Sequence, residues 1–253
     1  MRSPIILRVI IDERLPGAEN MARDEAILEA VSQNESPPTL RFYQWDQPTI
    51  SLGYFQKITE LQEQDAVIRQ MPVVRRLTGG GAILHDDELT YSLTLPLNRD
   101  LSCTNIKAAY ELVHDAYLEA IKELGVPAEY RGGHDKSNSQ RGPFFCFSRN
   151  HCLDLVIGKD KLMGSAQRRV KNGILQHGSL ILGNHFSQQP SAELFAGNGS
   201  DNSLMVELIG ELANRLAYSM NASCEPSDCT EIERSMQKKL NEKYLSETWN
   251  FQR

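Results

Sequence analysis

Nowhere in the 253 residues is there a run approaching the roughly 20 consecutive apolar residues that a membrane span requires, so no membrane role is expected. The N-terminal MRSPIILRVIIDERLP has only a short apolar run and no small-residue cleavage site. It reads as a first strand and not as an export signal, which makes the cytoplasm the expected compartment. The five cysteines (Cys103, Cys146, Cys152, Cys224, Cys229) are odd in number and lack framework spacing, so free thiols are expected in place of disulfides. No histidine clusters with Cys224 and Cys229, which argues against a zinc site. A Walker loop, a GxGxxG turn, a GxSxG elbow and an HExxH helix are all absent. A net charge of −6 argues against a dedicated nucleic-acid binder. Repeats, low-complexity tracts and Pro/Gly/Ser linkers are missing too, so residues 1–253 are expected to form one domain with C-terminal helices at about 203–245.

What is present is unevenly charged. Between Arg131 and Lys171 lie nine basic residues (Arg131, Lys136, Arg141, Arg149, Lys159, Lys161, Arg168, Arg169, Lys171) and three acids (Asp135, Asp154, Asp160), a +6 segment in a −6 chain. It is either a plain solvated surface or a docking face for an acidic partner. Hydrophobic periodicity predicts a strand at 5–12 and a helix at 18–32, with Asp24 in the middle of its apolar face. A carboxylate there must be paired, so pinning an arginine or a turn is its expected role. Strands follow at 39–45, 49–55, 73–77 and 88–97, with a short helix near 59–70. A long helix spans 104–124, capped by Thr104 and stopped by Gly125, with Ala109, Leu112, Ala116, Ala120 and Leu124 facing the core. After an irregular loop at 131–145, strands at 152–157, 161–170 and 174–182 are expected to form an antiparallel meander, turning at Gly158-Lys159-Asp160 and Asn172-Gly173. Helices at 203–219 and 229–245 complete a mixed α/β (α+β) domain on a largely antiparallel sheet.

The segment that stands out for chemistry is Arg75-Arg76-Leu77-Thr78-Gly79-Gly80-Gly81-Ala82-Ile83-Leu84-His85-Asp86. Three consecutive glycines let a backbone approach a ligand closely, and two preceding arginines suit an anionic group. Alone, the triplet is equally a tight turn. In its setting, RRLTGGGAILHD resembles the motif shared by lipoate-protein ligases, octanoyltransferases and biotin ligases. Lys161-Leu162-Met163-Gly164-Ser165-Ala166-Gln167-Arg168-Arg169 is similar to that family's lysine motif, and Leu175-Gln176-His177-Gly178-Ser179-Leu180 to the strand after it. GAENMARDEAILEA and PTLRFYQWDQPTISLGYFQ also fit, so the resemblance runs in order through roughly residues 8–185. It implies a class II synthetase-like catalytic domain, a curved antiparallel sheet flanked by helices. The substrates it implies are a medium-chain or lipoyl acyl group and a lysine on a small acidic lipoyl carrier.

Phe144-Phe145-Cys146-Phe147, eight residues before Asp154, resembles the Cys-Phe motif of the cysteine-dependent octanoyltransferases. Cys146 is then the acyl-carrying nucleophile and Lys161 its essential partner. The resemblance further implies that Arg75, Arg76, Thr78, Gly79, Gly80, Gly81, His85, Asp154, Gly164, Ser165, Ala166, His177 and Gly178 bind substrate. Two features depart from that branch: Gly81 stands where the transferases often carry arginine, and Ser148-Arg149-Asn150-His151-Cys152 is unusual. Cys152 is a weaker nucleophile candidate because it breaks the spacing. An unassisted thiol is mostly protonated at neutral pH, so activation by Lys161 or Arg149 is expected. Strand alternation puts Lys161 on one face with Met163, Ser165 and Gln167, looking into the acyl pocket. His85 and His177 are equally suited to structural roles. The expected donor is an acyl carrier protein, and the acceptor a lipoyl domain or glycine cleavage H protein, with no cofactor. An ATP-dependent ligase core is the rival, favoured by Gly81, requiring ATP and Mg2+, and disfavoured by the short C-terminal remainder. An amidotransferase between lipoyl carriers would use the same residues, and a non-catalytic acyl-binding module would bind without turnover.

Overall fold

The computed structural model describes residues 5–97, 105–133, 142–196 and 202–253. The elements in chain order are β1 (Ile5–Leu15), α1 (Gly17–Ser32), β2 (Thr39–Trp45), β3 (Thr49–Leu52), α2 (Ile58–Gln62), α3 (Ala66–Arg69), β4 (Val73–Arg75), β5 (Ile83–His85) and β6 (Glu88–Pro96). They continue with α4 (Ile106–Glu123), β7 (Glu129–Tyr130), β8 (Leu155–Ile157), β9 (Asp160–Arg169), β10 (Gly173–Ile181), α5 (Asn202–Ser219), β11 (Ala222–Pro226), α6 (Glu231–Leu245) and α7 (Glu247–Asn250). Eight strands form one sheet in the order β11-β1-β2-β6-β10-β9-β8-β7, and β4-β3-β5 form a second. Pairing from β2 through β7 is antiparallel, as expected, whereas β1 runs parallel to both β2 and β11.

The two faces of the large sheet differ because side chains alternate along each strand. On one face Phe42, Leu89, Tyr91, Leu93, Ile174 and Leu180 pack with α4 and α5 residues such as Val113, Tyr117, Leu212 and Leu216. Facing α1, the register instead aligns Tyr43, Thr90, Ser179 and Gly164 in one row and Arg41, Ser92, His177 and Ala166 in the next. Asp24 projects from α1 onto this polar face. It accepts from Arg41 Nη1 at 2.7 Å, Ser92 Oγ at 2.8 Å and Tyr43 Oη at 3.0 Å. Burial is the largest influence on its carboxyl and pushes it up, but Arg41, His177 and Ser92 together hold it below its ordinary value. The expectation that Asp24 pins an arginine is met.

Several local expectations change for physical reasons. The α4 cap is Asn105, whose side chain accepts from the Ala108 amide, while Thr104 lies outside the described residues. Gly125 ends that helix in the left-handed region at φ 77°. Leu124 is 38% exposed and so leaves the predicted core stripe. The helix near 59–70 is two short helices, α2 and α3, the second capped by Asp65. The strand after Pro48 stops at Leu52, because the Gly53, Tyr54 and Gln56 carbonyls turn to accept from Arg75 Nη1. Strand β8 begins only at Leu155, since Asp154 folds back to accept from the His151 amide. The Asn172-Gly173 turn does not use positive φ, and the chain loops from Arg169 to Ile174 with the Val170 amide on the Gly173 carbonyl. Of the loop at 131–145, residues 134–141 lie outside the described residues. Strand β11, too polar to be read from periodicity, forms because it borders β1.

A bulge in β9 has the largest consequence. Val156 pairs with Lys161 but Leu155 pairs with Met163, so Leu162 is an extra residue. Leu162 and Met163 both enter the core, and the alternation beyond them is inverted. Lys161 therefore shares its face with Gly164 and Ala166, correcting the predicted set of Met163, Ser165 and Gln167.

Candidate active site

The row Tyr43, Thr90, Ser179 and Gly164 crosses four adjacent strands, a span of about 14 Å at ordinary strand spacing. It floors a narrow cavity, covered by Met21 of α1 and walled by Trp45, Ser51, Arg76, Ile83, His85 and Phe147. Cys146, Lys161, Ser165, Ala166, His177 and Gly178 also line it. At the β9 end the cavity meets a wider, open groove lined by Gly79, Gly80, Tyr110, Arg131, Arg149, His151, Cys152 and Asp154. Cys146, Lys161, Ser165 and Ala166 border both spaces, so they stand at the junction. A narrow, largely apolar pocket with a few polar groups at its mouth suits a ligand with an apolar tail and a reactive head.

Cys146 opens a single 3-10 turn, Cys146–Ser148, that backbone hydrogen bonds to Ala82 hold beside the glycine run. The Cys146 amide donates to the Ala82 carbonyl at 2.7 Å, and the Ala82 amide to the Phe144 carbonyl at 2.9 Å. Phe147 is buried beside Ile83 and Ile181, with the half-buried Cys146 against the same cluster. A Cβ at Gly81 would lie 2.7 Å from Arg149 Nε, 2.8 Å from the Phe144 oxygen and 2.9 Å from the Cys146 nitrogen. Two of those contacts are backbone, which cannot move aside cheaply. In this chain the close approach of the Cys146 turn leaves no room for a side chain at 81, a packing reason for the glycine that holds whichever reaction is catalysed. Gly81→Ala is expected to displace Cys146 and lower turnover about 100-fold. Steady-state rates alongside an unchanged circular dichroism spectrum would check this; a wild-type rate would refute it.

Lys161 is buried, 4% exposed, and donates to Asp154 Oδ1 at 2.8 Å, with its ammonium 5.3 Å from the centre of the Phe147 ring. Asp154 Oδ2 accepts from the His151 amide at 2.9 Å, so the carboxylate is itself fixed. A Cβ at Gly164 would fall 2.3 Å from Lys161 Cε, and glycine there leaves room for the lysine to fold back across its own strand. Asp154 acts on the lysine from the groove side, and Gly164 acts by being small.

The predicted arginines divide. Arg75 faces away from the cavity and binds the carbonyls of Gly53, Tyr54, Gln56 and Asn250. Arg76 lines the cavity and laces the glycine run: Nη2 donates to the Gly79 and Gly81 carbonyls at 2.7 Å, Nη1 to the Ser51 carbonyl at 2.8 Å, and Nε to Thr78 Oγ1 at 3.1 Å. Thr78 Oγ1, which accepts from Arg76, also lies 2.6 Å from His177 Nε2. The other ring nitrogen, Nδ1, lies 3.3 Å from Asp24 Oδ2. His177 is thereby tied from the cavity wall to α1. His85 stacks on Trp45 and lies between Glu88 Oε1 and Ser51 Oγ, each at 2.7 Å; burial pushes its pKa down.

Sequence reasoning missed a second polar network. Ser165 Oγ lies 2.7 Å from both Tyr91 Oη and His114 Nε2, and the Ser165 carbonyl accepts from Tyr110 Oη at 2.9 Å. Gly178 makes this possible, since a Cβ there would lie 2.4 Å from Ser165 Oγ. The signal was available: His114 interrupts the apolar stripe of α4 as Asp24 interrupts that of α1. Burial pushes the His114 imidazole down to about 4. The unfolded chain then takes up a proton that the folded protein refuses, so stability is full above about 6.5 and falls as pH drops toward 4. The expected loss is about 3 kcal/mol, and His114→Gln should flatten that stretch of a pH-dependent urea titration.

A profile described as the lipoyl protein ligase A/B catalytic domain matches residues 16–202. The chain belongs to this family. Octanoyltransferase LipM of Brevibacillus brevis is 33% identical over 97% of this chain and 99% of its own length. LipM of Geobacillus kaustophilus is 34% identical over 98% and 99%. LipM of Moorella thermoacetica is 43% identical, and there the match spans 64% of this chain and 60% of the relative. Among solved structures, a lipoate-protein ligase A bound with ATP has a TM-score of 0.76 at 22% identity, over 98% of this chain and 99% of that one. A bipartite lipoate protein ligase from Thermoplasma acidophilum, studied with its E2 lipoyl domain, gives 0.70 at 20%, over 98% and 96%. These likenesses establish the fold, an α/β catalytic domain of the ligase type.

Proposed function

We propose that this protein is an octanoyltransferase of protein lipoylation in which Cys146 carries the acyl group. The observation that supports it is the placing of Cys146 and Lys161 together where a narrow, mainly apolar cavity opens into a broad groove. The full-length octanoyltransferase relatives support the same assignment. The Cys146 thiolate attacks the thioester carbonyl of an acylated carrier protein, the carrier thiolate leaves and takes up a proton, and the octanoyl chain lies over the Tyr43-Thr90-Ser179-Gly164 row. The lysine amine of a lipoyl domain, or of a glycine cleavage H protein, enters through the groove and attacks the new thioester. An amide forms, the amine loses a proton, and the Cys146 thiol returns. Thioester exchange is close to even and amide formation is downhill, so the reaction uses neither ATP nor Mg2+. Lys161, aimed by Asp154, donates to the carbonyl oxygen as negative charge develops there. Arg131, Arg149 and Arg168 near the groove attract acidic carriers. The reaction belongs in the cytoplasm; among the described residues no helix is long and apolar enough to cross a membrane.

Intact-protein mass spectrometry tests this with octanoylated acyl carrier protein, first without ATP. An octanoyl adduct on the Cys146 peptide that passes to an added lipoyl domain is the expected result. An octanoylated H protein as the sole effective donor would make the enzyme an amidotransferase instead. Modification appearing only with free lipoate and ATP would overturn the transferase assignment.

A further inference from the structure

Of the four arginines buried among the described residues, two have a carboxylate. Arg8 is bound to Glu233, and Arg41 lies between Asp12 and Asp24. Arg76, 2% exposed, has none. Its partners are the carbonyls of Ser51, Gly79 and Gly81 and the hydroxyls of Ser51 and Thr78. A buried cation without a counter-ion is costly, and neutral acceptors offset only part of that cost. Arg75 is also held by carbonyls alone, but it lies outside the cavity. What sets Arg76 apart is the thiol beside it.

Gly80 lies against both. It adopts φ 94°, and a Cβ on it would lie 3.0 Å from Arg76 Nη2 and 3.7 Å from Cys146 Sγ. The guanidinium and the sulfur thus face the same bare stretch of backbone, and both line the cavity. Of the acidic groups near the Arg76 charge, Cys146 acts most strongly, ahead of Tyr110 and Tyr43, while the like charge of Arg149 opposes it. Burial pushes both phenols up, so they stay neutral at neutral pH. That leaves the thiol. The other basic groups that line the cavity and groove are already engaged: Lys161 of β9 and Arg131 with Asp154, His177 of β10 with Thr78 and Asp24, His85 with Glu88, His151 with the Leu153 amide, and Arg149, half-buried, with the Pro143 carbonyl. Burial, the largest influence, also pulls the Arg76 pKa down to about 10, as an unmatched charge requires.

We infer that Arg76 is the residue that holds Cys146 as a thiolate, and that the thiolate is the missing counter-ion of this buried guanidinium. This rests on Cys146 being the nucleophile, and it replaces Lys161 and Arg149 as the activating cations. Lys161 is left free to serve the carbonyl oxygen. The glycine run acquires a second purpose: it lets the charge of Arg76 reach the sulfur without a side chain intervening.

Iodoacetamide alkylation of the Cys146 peptide, read by mass spectrometry at pH 7 and pH 9.5, tests the inference without any acyl donor. Because only the thiolate reacts, Arg76→Gln is expected to alkylate about ten-fold more slowly at pH 7 and within about two-fold of the parent at pH 9.5. Arg76→Lys, which keeps the charge, should show the same pattern with a smaller loss. A wild-type rate for Arg76→Gln at pH 7 would overturn the inference, and so would an equal slowing at both pH values, which means lost positioning. If the glutamine variant does not fold, a pH-independent change in Arg76→Lys overturns it in the same way. A sulfur that responds to Arg76 yet never carries octanoyl would sink the transferase assignment alone.

Discussion

Cys146→Ser is expected to lower octanoyl transfer from a carrier thioester by at least about 1,000-fold, because a serine hydroxyl stays protonated where a thiol ionises. The two side chains are close in volume and the site is half-buried, so folding should be unaffected. Single-turnover transfer to a lipoyl domain is the direct measurement, with Cys152→Ser beside it as a reference expected to keep near-parental rates. Cys152 lines only the groove, whereas Cys146 borders groove and cavity together. Full activity in Cys146→Ser would end the acyl-enzyme mechanism.

Removing the ammonium of Lys161 should cost about 100- to 1,000-fold in kcat, the range for losing a preorganised donor to a developing oxyanion. Alanine is a poor choice for this test, since it strands the buried Asp154 without its ion-pair partner. Lys161→Gln retains a donor for Asp154 and isolates the charge. The acyl-enzyme should then form slowly and discharge slowly, because both steps pass through a tetrahedral oxyanion. A variant that acylates and discharges at parental rates would return Lys161 to a structural role. The same variant separates Lys161 from Arg76: its Cys146 alkylation at pH 7 should stay far closer to the parent than that of Arg76→Gln.

Much of the site was legible because motif residues sit where the chain must do something unusual. The glycine run is adjacent to the cavity, Lys161 and Cys146 meet at its mouth, and Asp24 in an apolar stripe announced a buried partner, found in Arg41. Roles were less legible than positions. Arg75 and Arg76 are sequence neighbours with the same chemistry, yet strand alternation sends one to the C-terminal segment and the other to the cavity. Gly81 had suggested a different enzyme, and its reason is a backbone contact with a turn some 65 residues later, which local sequence cannot display.

By itself the sequence determined the longer elements, the largely antiparallel sheet, the family and the residues worth testing. Periodicity and ordered motifs are local properties, and they survive without knowledge of what packs against what. Tertiary structure alone decided which face each residue serves. One extra residue, Leu162, inverts the alternation of β9 and brings Lys161, Gly164 and Ala166 onto the cavity side. Pairing register then aligned Tyr43, Thr90, Ser179 and Gly164 into a floor. The charge balance around Arg76 followed the same logic, because a missing counter-ion becomes visible only when every neighbour of a buried cation is known.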